Sequence, residues 1–478
     1  MIMKNKYKDL SVNTIVLTIS SLGSKFISFF MVPLYTNVLS TEEYGIVDLM
    51  TITAQLLIPV LTLNIQDAVL RFSIDDEHNR DDVAVISCRM ILFSTAFLAL
   101  VLYIVDLYGI CSYNSYYLLF LLVTYMMGTI NNSLNMYLRA IHRIRVIGIC
   151  GIISSFVACG TNVIFLLFFK LGVTGYMIAY ISGTLVANVG MFVGGKVWKS
   201  LNKGKWNSIT AKSMLQYGFP LVANSVAWWI NNASDRYILT FFCGTSLNGI
   251  YSIAYKIPSI LSMLQGTFYN AWSVSAIKEF NKDDEDGFIG KVFTYYINVS
   301  VIMCSVIMLV NYNLAKIIYS NEFLEAWKYV PVLLLGTVFN GMGLFVGCIF
   351  TAVKRTKDIS ITTIIGAVIN TILNFVLIPF IGAMGAAIAT MIGYGSVFIV
   401  RLCIAKNIVK MKVKWISIIS CMFILFIQTI LASIIENIIY QLPLTFMIVL
   451  INYKMISAVG KFIKNKFDNV DTNRKNKN

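Results

Sequence analysis

The sequence predicts an all-α polytopic membrane protein of about 14 transmembrane helices. Twelve of these form a core of two pseudo-symmetric six-helix lobes, and a C-terminal pair is added. Three observations lead there: a lipid-like composition, recurring apolar runs of membrane-crossing length, and a repeat between the two halves of the chain.

Of 478 residues, 58% are hydrophobic and 13% charged, whereas a soluble chain is roughly half apolar and about a quarter charged. Mean hydropathy is +0.75. A soluble enzyme, a disordered chain and a fibre are excluded. Lys and Arg number 38 against 23 Asp and Glu, a net charge of +15. In a membrane chain that excess sits in cytoplasmic loops beside anionic headgroups, so no nucleic-acid partner is expected. His78 and His142 are the only histidines, so neither a His-rich metal site nor a Ser/His/Asp triad within the membrane is expected. The nine cysteines include no CxxC pair and lie mostly in apolar runs. They read as small buried hydrophobes, and neither metal nor cofactor is expected.

The basic start, Met1 to Leu10, precedes an apolar run too long for a signal peptide's core, so it reads as a retained first span. Spans are expected at 12–34, 46–70, 83–109, 115–138, 146–170 and 173–196. A second set falls at 213–240, 248–274, 291–314, 328–350, 358–381 and 383–406. Two more follow at 415–435 and 442–460, the last interrupted by Asn452, Tyr453 and Lys454. With the N-terminus inside, the inner loops hold Arg139, Arg143 and Arg145; Lys196, Lys199, Lys203 and Lys205; Lys354, Arg355 and Lys357; and Lys406, Lys410, Lys412 and Lys414. The outer loops hold little beyond Glu42, Glu43 and Asp106. That bias sets an N-inside topology. An even span count puts the basic tail, which begins near Lys461, inside as well.

The six-span sets resemble each other. Leu39 to Ile46 aligns with Cys243 to Ile250, pairing Gly45 with Gly249. Leu171 to Ala179 aligns with Ile381 to Ala389, pairing Gly172 with Gly382. Arg139 to Arg143 aligns with Thr351 to Arg355. An even number of spans per copy makes the repeat parallel, which is a common transporter plan with the substrate site near the midplane. The expected units are an N-terminal lobe at 1–205, a C-terminal lobe at 206–410, and a helix pair with a basic tail at 411–478. No Walker A motif is present: Gly194-Gly195-Lys196-Val197 lacks both its spacing and its Ser/Thr.

At this point the residues resemble a family. Tyr35 to Gly45, Asp67 to Phe72, Ser234 to Leu239, Gly249 to Pro258 and Asn270 to Trp272 are together similar to polysaccharide flippases of the O-antigen or capsule repeat-unit (Wzx) type. That family sits in the MOP superfamily with MATE exporters and lipid II flippases. The resemblance spans about residues 1–410. It implies a non-enzymatic flippase of the bacterial cytoplasmic membrane that moves undecaprenyl-diphosphate-linked oligosaccharides between leaflets. Its partners would be the lipid-linked substrate, membrane lipids, a polysaccharide polymerase and glycosyltransferases. Many members have twelve spans, and the fourteen read here depart from that.

Ionisable residues at membrane depth mark pathways by default. Lys25 falls mid-span and suits a diphosphate. Arg71 and Arg89 lie near the inner ends of their spans and could receive that headgroup, with snorkelling as the bland alternative. Asp67 and Arg71 are spaced i, i+4, as a local ion pair would be. Asp235 and Lys256 flank the turn near Gly244 at similar depth and are expected to form a gating or structural pair. Arg236 points about 100° from Asp235 and is a further cavity cation. Trp228, Trp229 and Trp272 could stack on sugars, although packing suffices. Asp48 and Asp106 lie near outer ends, where interfacial water suffices. Three rival readings remain: a MATE-like or lipid II-type exporter, a membrane glycosyltransferase or polymerase, and a non-transporting scaffold of a polysaccharide assembly complex. The second has only the acidic run Asp283 to Asp286 to offer as chemistry, and that run reads as a solvated loop.

Overall fold

The computed structural model describes residues 29–453 except 76, 111, 112 and 279, together with 23, 455 and 457. Most of the expected first span, Lys25 and the basic tail lie outside the described residues. Among the described residues every regular element is helical. Nine of these helices are long and apolar enough to cross a membrane.

Helix α1 (Val32–Val38) ends at Leu39. Helix α2 (Thr41–Leu61) starts on a capping box. The Ser40 hydroxyl accepts from the Glu43 N–H, and the Ser40 N–H donates to the Glu43 carboxylate at 2.9 Å, which satisfies two otherwise orphaned donors. The expected span 46–70 is broken. Leu63 and Asn64 both take positive φ, so a new helix, α3 (Ile65–Ile74), begins after them. The Asn64 amide holds the turn by donating to Asp67 at 2.6 Å. Helices α4 (Arg80–Leu107), α5 (Ser115–Ala140) and α6 (Ile144–Val163) follow, and α6 runs on through a π turn at Ile164–Phe168. Then come α7 (Gly172–Gly194), a short α8 (Val197–Lys203), α9 (Ser208–Cys243) and α10 (Thr245–Ala254).

The eighth expected span is likewise two helices, α10 and α11 (Lys256–Lys278). The ninth divides into α12 (Phe288–Leu309) and α13 (Asn311–Ile318). After α14 (Val330–Ala352) the expected spans 358–381 and 383–406 join in a single run, α15 (Thr356–Ala405). A break at Ile381 and Gly382 divides that run. Gly382 has φ +55, and so has its repeat partner Gly172. The aligned glycines thus share a positive φ, which any side chain would strain. Helices α16 (Trp415–Ile434) and α17 (Leu442–Ile451) close the described chain.

The residues cluster into two compact units. The first comprises 1–256, 317–324 and 371–386, and the second comprises 257–316, 325–370 and 387–478. The first unit has a core around Val69, Ile86, Leu138, Met191 and Met214. Its α4 turns Leu92, Phe93, Phe97 and Tyr103 outward, an apolar surface that only lipid or a partner could cover.

In the second unit, Phe268, Trp272, Tyr296 and Phe345 form a stacked aromatic core. The short last helix, α17, is anchored in this unit by polar bonds. Fully buried Gln428 of α16 accepts from Ser305 of α12 at 2.6 Å and donates to Thr445 of α17 at 3.1 Å.

Arg401 fastens the inner part of the same unit. It is 4% exposed. It donates to the Gly343 carbonyl at 2.8 Å and to the hydroxyls of Thr362 and Thr363 at 3.0 Å each. All three acceptors are neutral, and they come from α14 and the start of α15. Arg401→Ala removes the donors and opens a void, so we expect a loss of about 3 kcal/mol of stability. Thermal melting of the purified protein in detergent checks it. Arg401→Lys should fall between the two, because an ammonium cannot span three fixed acceptors. An unchanged melting temperature in Arg401→Ala would show that the guanidinium fastens nothing.

Candidate functional site

Helices α2 and α9 of the first unit line an open-sided cavity of about 570 Å³. Asp48, Thr51, Gln55 and Pro59 reach it from α2, and Asn224, Trp228, Asn232 and Arg236 reach it from α9. Both sets recur every three to four residues, so each helix presents one polar stripe.

The wall is pinned by an ion pair. One nitrogen of Arg236 donates to both carboxylate oxygens of Asp48, at 2.8 and 2.9 Å. The side chains are 15% and 17% exposed. Ser252 donates to Asp48 at 2.7 Å. The Tyr255 ring lies 5.2 Å from the guanidinium carbon, a cation–π distance. The Arg236 Nε is buried with no hydrogen-bond partner among the described residues. Its neighbour Asp235, 3% exposed, accepts from the hydroxyls of Tyr251 at 2.8 Å and Tyr255 at 3.0 Å. Adjacent residues on a helix diverge by about 100°, which explains the separate settings. Tyr255 serves both, giving its ring to one and its hydroxyl to the other.

Trp229 is fixed rather than free to stack, since its indole N–H donates to the Ile52 carbonyl at 2.8 Å. Trp228 is 43% exposed and lines the cavity. A second cavity of about 260 Å³ is lined by Tyr35, Asn162, Tyr176, Tyr180 and Lys256. A third, of about 230 Å³, shares Thr51 and Gln55 with the first and Tyr180 and Thr184 with the second. Arg236 and Lys256 therefore line neighbouring polar cavities, separated by the third cavity with which each shares walls. Trp272 packs in the aromatic core of the second unit.

The other expected cations sit elsewhere. Arg71 pairs with Asp75 at 3.7 Å and is 59% exposed, while Asp67 bonds Asn64; the expected i, i+4 partnership is shifted by a turn. Arg89 is exposed and lies over the Trp206 ring at 5.5 Å. Lys25 lies outside the described residues. Asp106 accepts from Ser115 at an exposed position, as an interfacial residue would. Asp48 is different: it is committed to Arg236 and Ser252, and interfacial water does not explain it.

The repeat carried the signal for Asp48. An offset of 204 pairs Gly45 with Gly249 and Asp48 with Ser252 (249 − 45 and 252 − 48). A Cβ on Gly45 would lie 2.0 Å from the Thr245 carbonyl oxygen, and one on Gly249 would lie 2.0 Å from that of Thr41. The two helices thus cross symmetrically, backbone on backbone. Residues related by the repeat meet at that crossing, so Asp48 faces Ser252.

Comparison with known proteins gives this site its setting. Residues 10–272, more than half of the chain, match the family described as "Polysaccharide biosynthesis protein". The chain belongs to that family. The matched segment of this polysaccharide biosynthesis protein contains α2, α9 and the whole 570 Å³ cavity. The chain is 23% identical over 225 residues to a probable low-salt glycan biosynthesis flippase, Agl15, of Haloferax volcanii. It is 25% identical over 246 residues to an uncharacterized membrane protein of Methanocaldococcus jannaschii. These matches take in 46% and 48% of the chain, and the chain spans about half the length of the curated relatives it matches, 47% of each.

The fold is similar to that of the lipid II flippase MurJ in an inward closed conformation. The TM-score is 0.69 at 15% identity, covering 92% of this chain and 98% of that one. It is also similar to an inward-facing multidrug resistance MATE transporter of the MOP superfamily. There the TM-score is 0.62 at 15% identity, covering 84% and 97%. This chain is thus a polytopic membrane protein with the MurJ/MATE-like transporter fold.

Proposed function

We propose that this chain flips an undecaprenyl-diphosphate-linked oligosaccharide across the bacterial cytoplasmic membrane, N-terminus inside, for O-antigen, capsule or exopolysaccharide assembly. The observation that carries the reading is the 570 Å³ cavity of amides, hydroxyls, Trp228 and a neutralised Asp48–Arg236 pair, set in a chain whose helices are mostly apolar. Sugars need acceptors and donors for their hydroxyls and a flat apolar face for their C–H groups. Gln55, Asn224 and Asn232 supply the first, and Trp228 the second. A drug-like cation gains little there, because the one carboxylate in the wall is already paired.

In this mechanism the two six-span lobes, about 1–205 and 206–410, rock in alternating access around the bound headgroup while the lipid tail stays in the bilayer. Lys25 and Lys256 attract the diphosphate. A negative-inside potential drives an anion outward by about 2.3 kcal/mol per charge per 100 mV.

The test is flipping of a fluorescent lipid-linked oligosaccharide by the purified chain in proteoliposomes. We expect Trp228→Ala to slow it about tenfold, the equivalent of about 1.4 kcal/mol of lost contact. Equal rates for wild type and Trp228→Ala would remove the glycan from this cavity. Export of a lipophilic cation in place of the glycolipid would favour the MATE-like reading. Sugar transfer or chain extension by the purified chain would favour a glycosyltransferase or polymerase.

A further inference from the structure

The first unit holds another cavity with the opposite chemistry. It measures about 350 Å³ and lies among α4, α5 and α7, with α8 across one end. Ile91, Ile130, Leu134, Val189 and Phe192 make most of its wall. The polar groups in that wall are consumed by one another. Ser87 and Ser133 bond at 2.6 Å, and Tyr137 donates to Ser200 at 2.8 Å. The Asn188 side chain accepts from Asn131 and donates to the Met127 carbonyl, both at 2.9 Å. What faces the void is hydrocarbon, so it suits only a hydrocarbon guest.

The rim is basic. Helix α8 puts Val197 and Leu201, spaced i, i+4, on the cavity side, whereas Lys199 and Lys203, with the same spacing, are exposed. Lys196 and Lys205 flank that helix and are exposed too. On α4, exposed Arg89 follows directly on Cys88 of the wall and stacks over Trp206. Two acids lie nearby: Asp81, beside Tyr137, and Asp82, one of whose oxygens accepts from the Lys205 backbone N–H at 2.8 Å; the basic groups outnumber them. An apolar slot beneath a lysine-rich amphipathic helix matches one kind of molecule, an anionic lipid with a chain in the slot and its headgroup on the rim.

We propose that this slot holds one acyl chain of a resident anionic phospholipid, whose phosphate is held by Lys199, Lys203 and Arg89. The site is independent of the glycan cavity and of what is flipped. A resident chain there would fill the space between α4 and α7 and tie α8 to the bilayer surface.

The full-length protein, purified in mild detergent, is exposed to phosphatidylglycerol or phosphatidylcholine carrying a photoreactive group on one acyl chain. We expect about one phosphatidylglycerol retained per protein in native mass spectrometry, with cross-links concentrated on α4, α5 and α7. Phosphatidylcholine should bind about tenfold more weakly, and added salt should narrow the gap. The double variant K199Q/K203Q changes only exposed side chains, and it should weaken phosphatidylglycerol retention about tenfold while the melting temperature holds. Equal retention of the two lipids, or cross-links scattered over the lipid-facing surface, overturns the proposal. Displacement of the bound lipid by a polyprenyl phosphate at equimolar level also overturns it, and assigns the slot to the substrate's tail.

Discussion

Replacing Arg236 with glutamine should stop flipping almost completely while the protein still reaches the membrane. The guanidinium is held from one side, by Asp48 through one nitrogen. It is covered on another by the Tyr255 ring, and its Nε has no partner among the described residues. Under the proposed function this fixed charge meets the substrate in the cavity. The substitution leaves the Asp48 carboxylate with Ser252 but without its cation, in a wall that is largely closed to water. Unpairing one member of a buried pair costs about 3–5 kcal/mol. The partial exposure of both side chains lowers that figure, because water screens the remaining charge.

Asp48→Asn is expected to be nearly as harmful, since it strands the cation. The double variant D48N/R236Q removes both charges and should recover expression and melting temperature relative to either single. It should not recover flipping if Arg236 also touches substrate. A cycle in flux and in melting temperature separates the two roles. Strictly additive losses in both readouts would show that the pair is not coupled. Recovery of flipping in the double variant would reduce Arg236 to a structural clamp.

The helical, polytopic character of the chain was legible because lipid imposes long apolar runs and closed backbone bonding. The breaks inside those runs were not, because their causes are local. At Leu63 and Asn64 two side-chain-bearing residues adopt positive φ, held by the Asn64–Asp67 bond, and nothing in hydropathy signals that. The ionisable residues divide in the same way. Arg236 was legible as a cation at membrane depth. Asp48 was not, because its partner lies 188 residues away. Only the aligned glycines hinted that these segments meet. Arg401 passed unnoticed at the end of a span, since its acceptors are two threonine hydroxyls and a carbonyl, which carry no charge signal in a sequence.

The largest structural effect is expected at the glycine crossing. Gly45→Ala and Gly249→Ala each place a methyl 2.0 Å from a backbone oxygen, where about 3 Å is the least that real contacts tolerate. The obstacle is main chain on both sides, so no rotamer change relieves it, and α2 and α10 must part by at least about an ångström. Overpacking of this kind costs about 1–3 kcal/mol and occasionally more; Gly249→Leu should exceed that range.

Parting the helices also lengthens the 2.7 Å bond between Ser252 and Asp48, which sits less than one turn beyond the glycines. Asp48 would then lose its register with Arg236. Flipping is therefore expected to fail in Gly249→Ala under conditions where the protein is still folded, with the melting temperature down by several degrees. Gly160 provides the control. It lies inside α6, and an added Cβ there meets nothing within 4 Å, so Gly160→Ala should leave flipping intact and be neutral or stabilising by up to about 1 kcal/mol. Melting curves and proteoliposome flux for these four variants decide the matter. Wild-type flux in Gly249→Ala would mean that the two backbones do not need to touch, and that Asp48 is positioned by something other than the crossing.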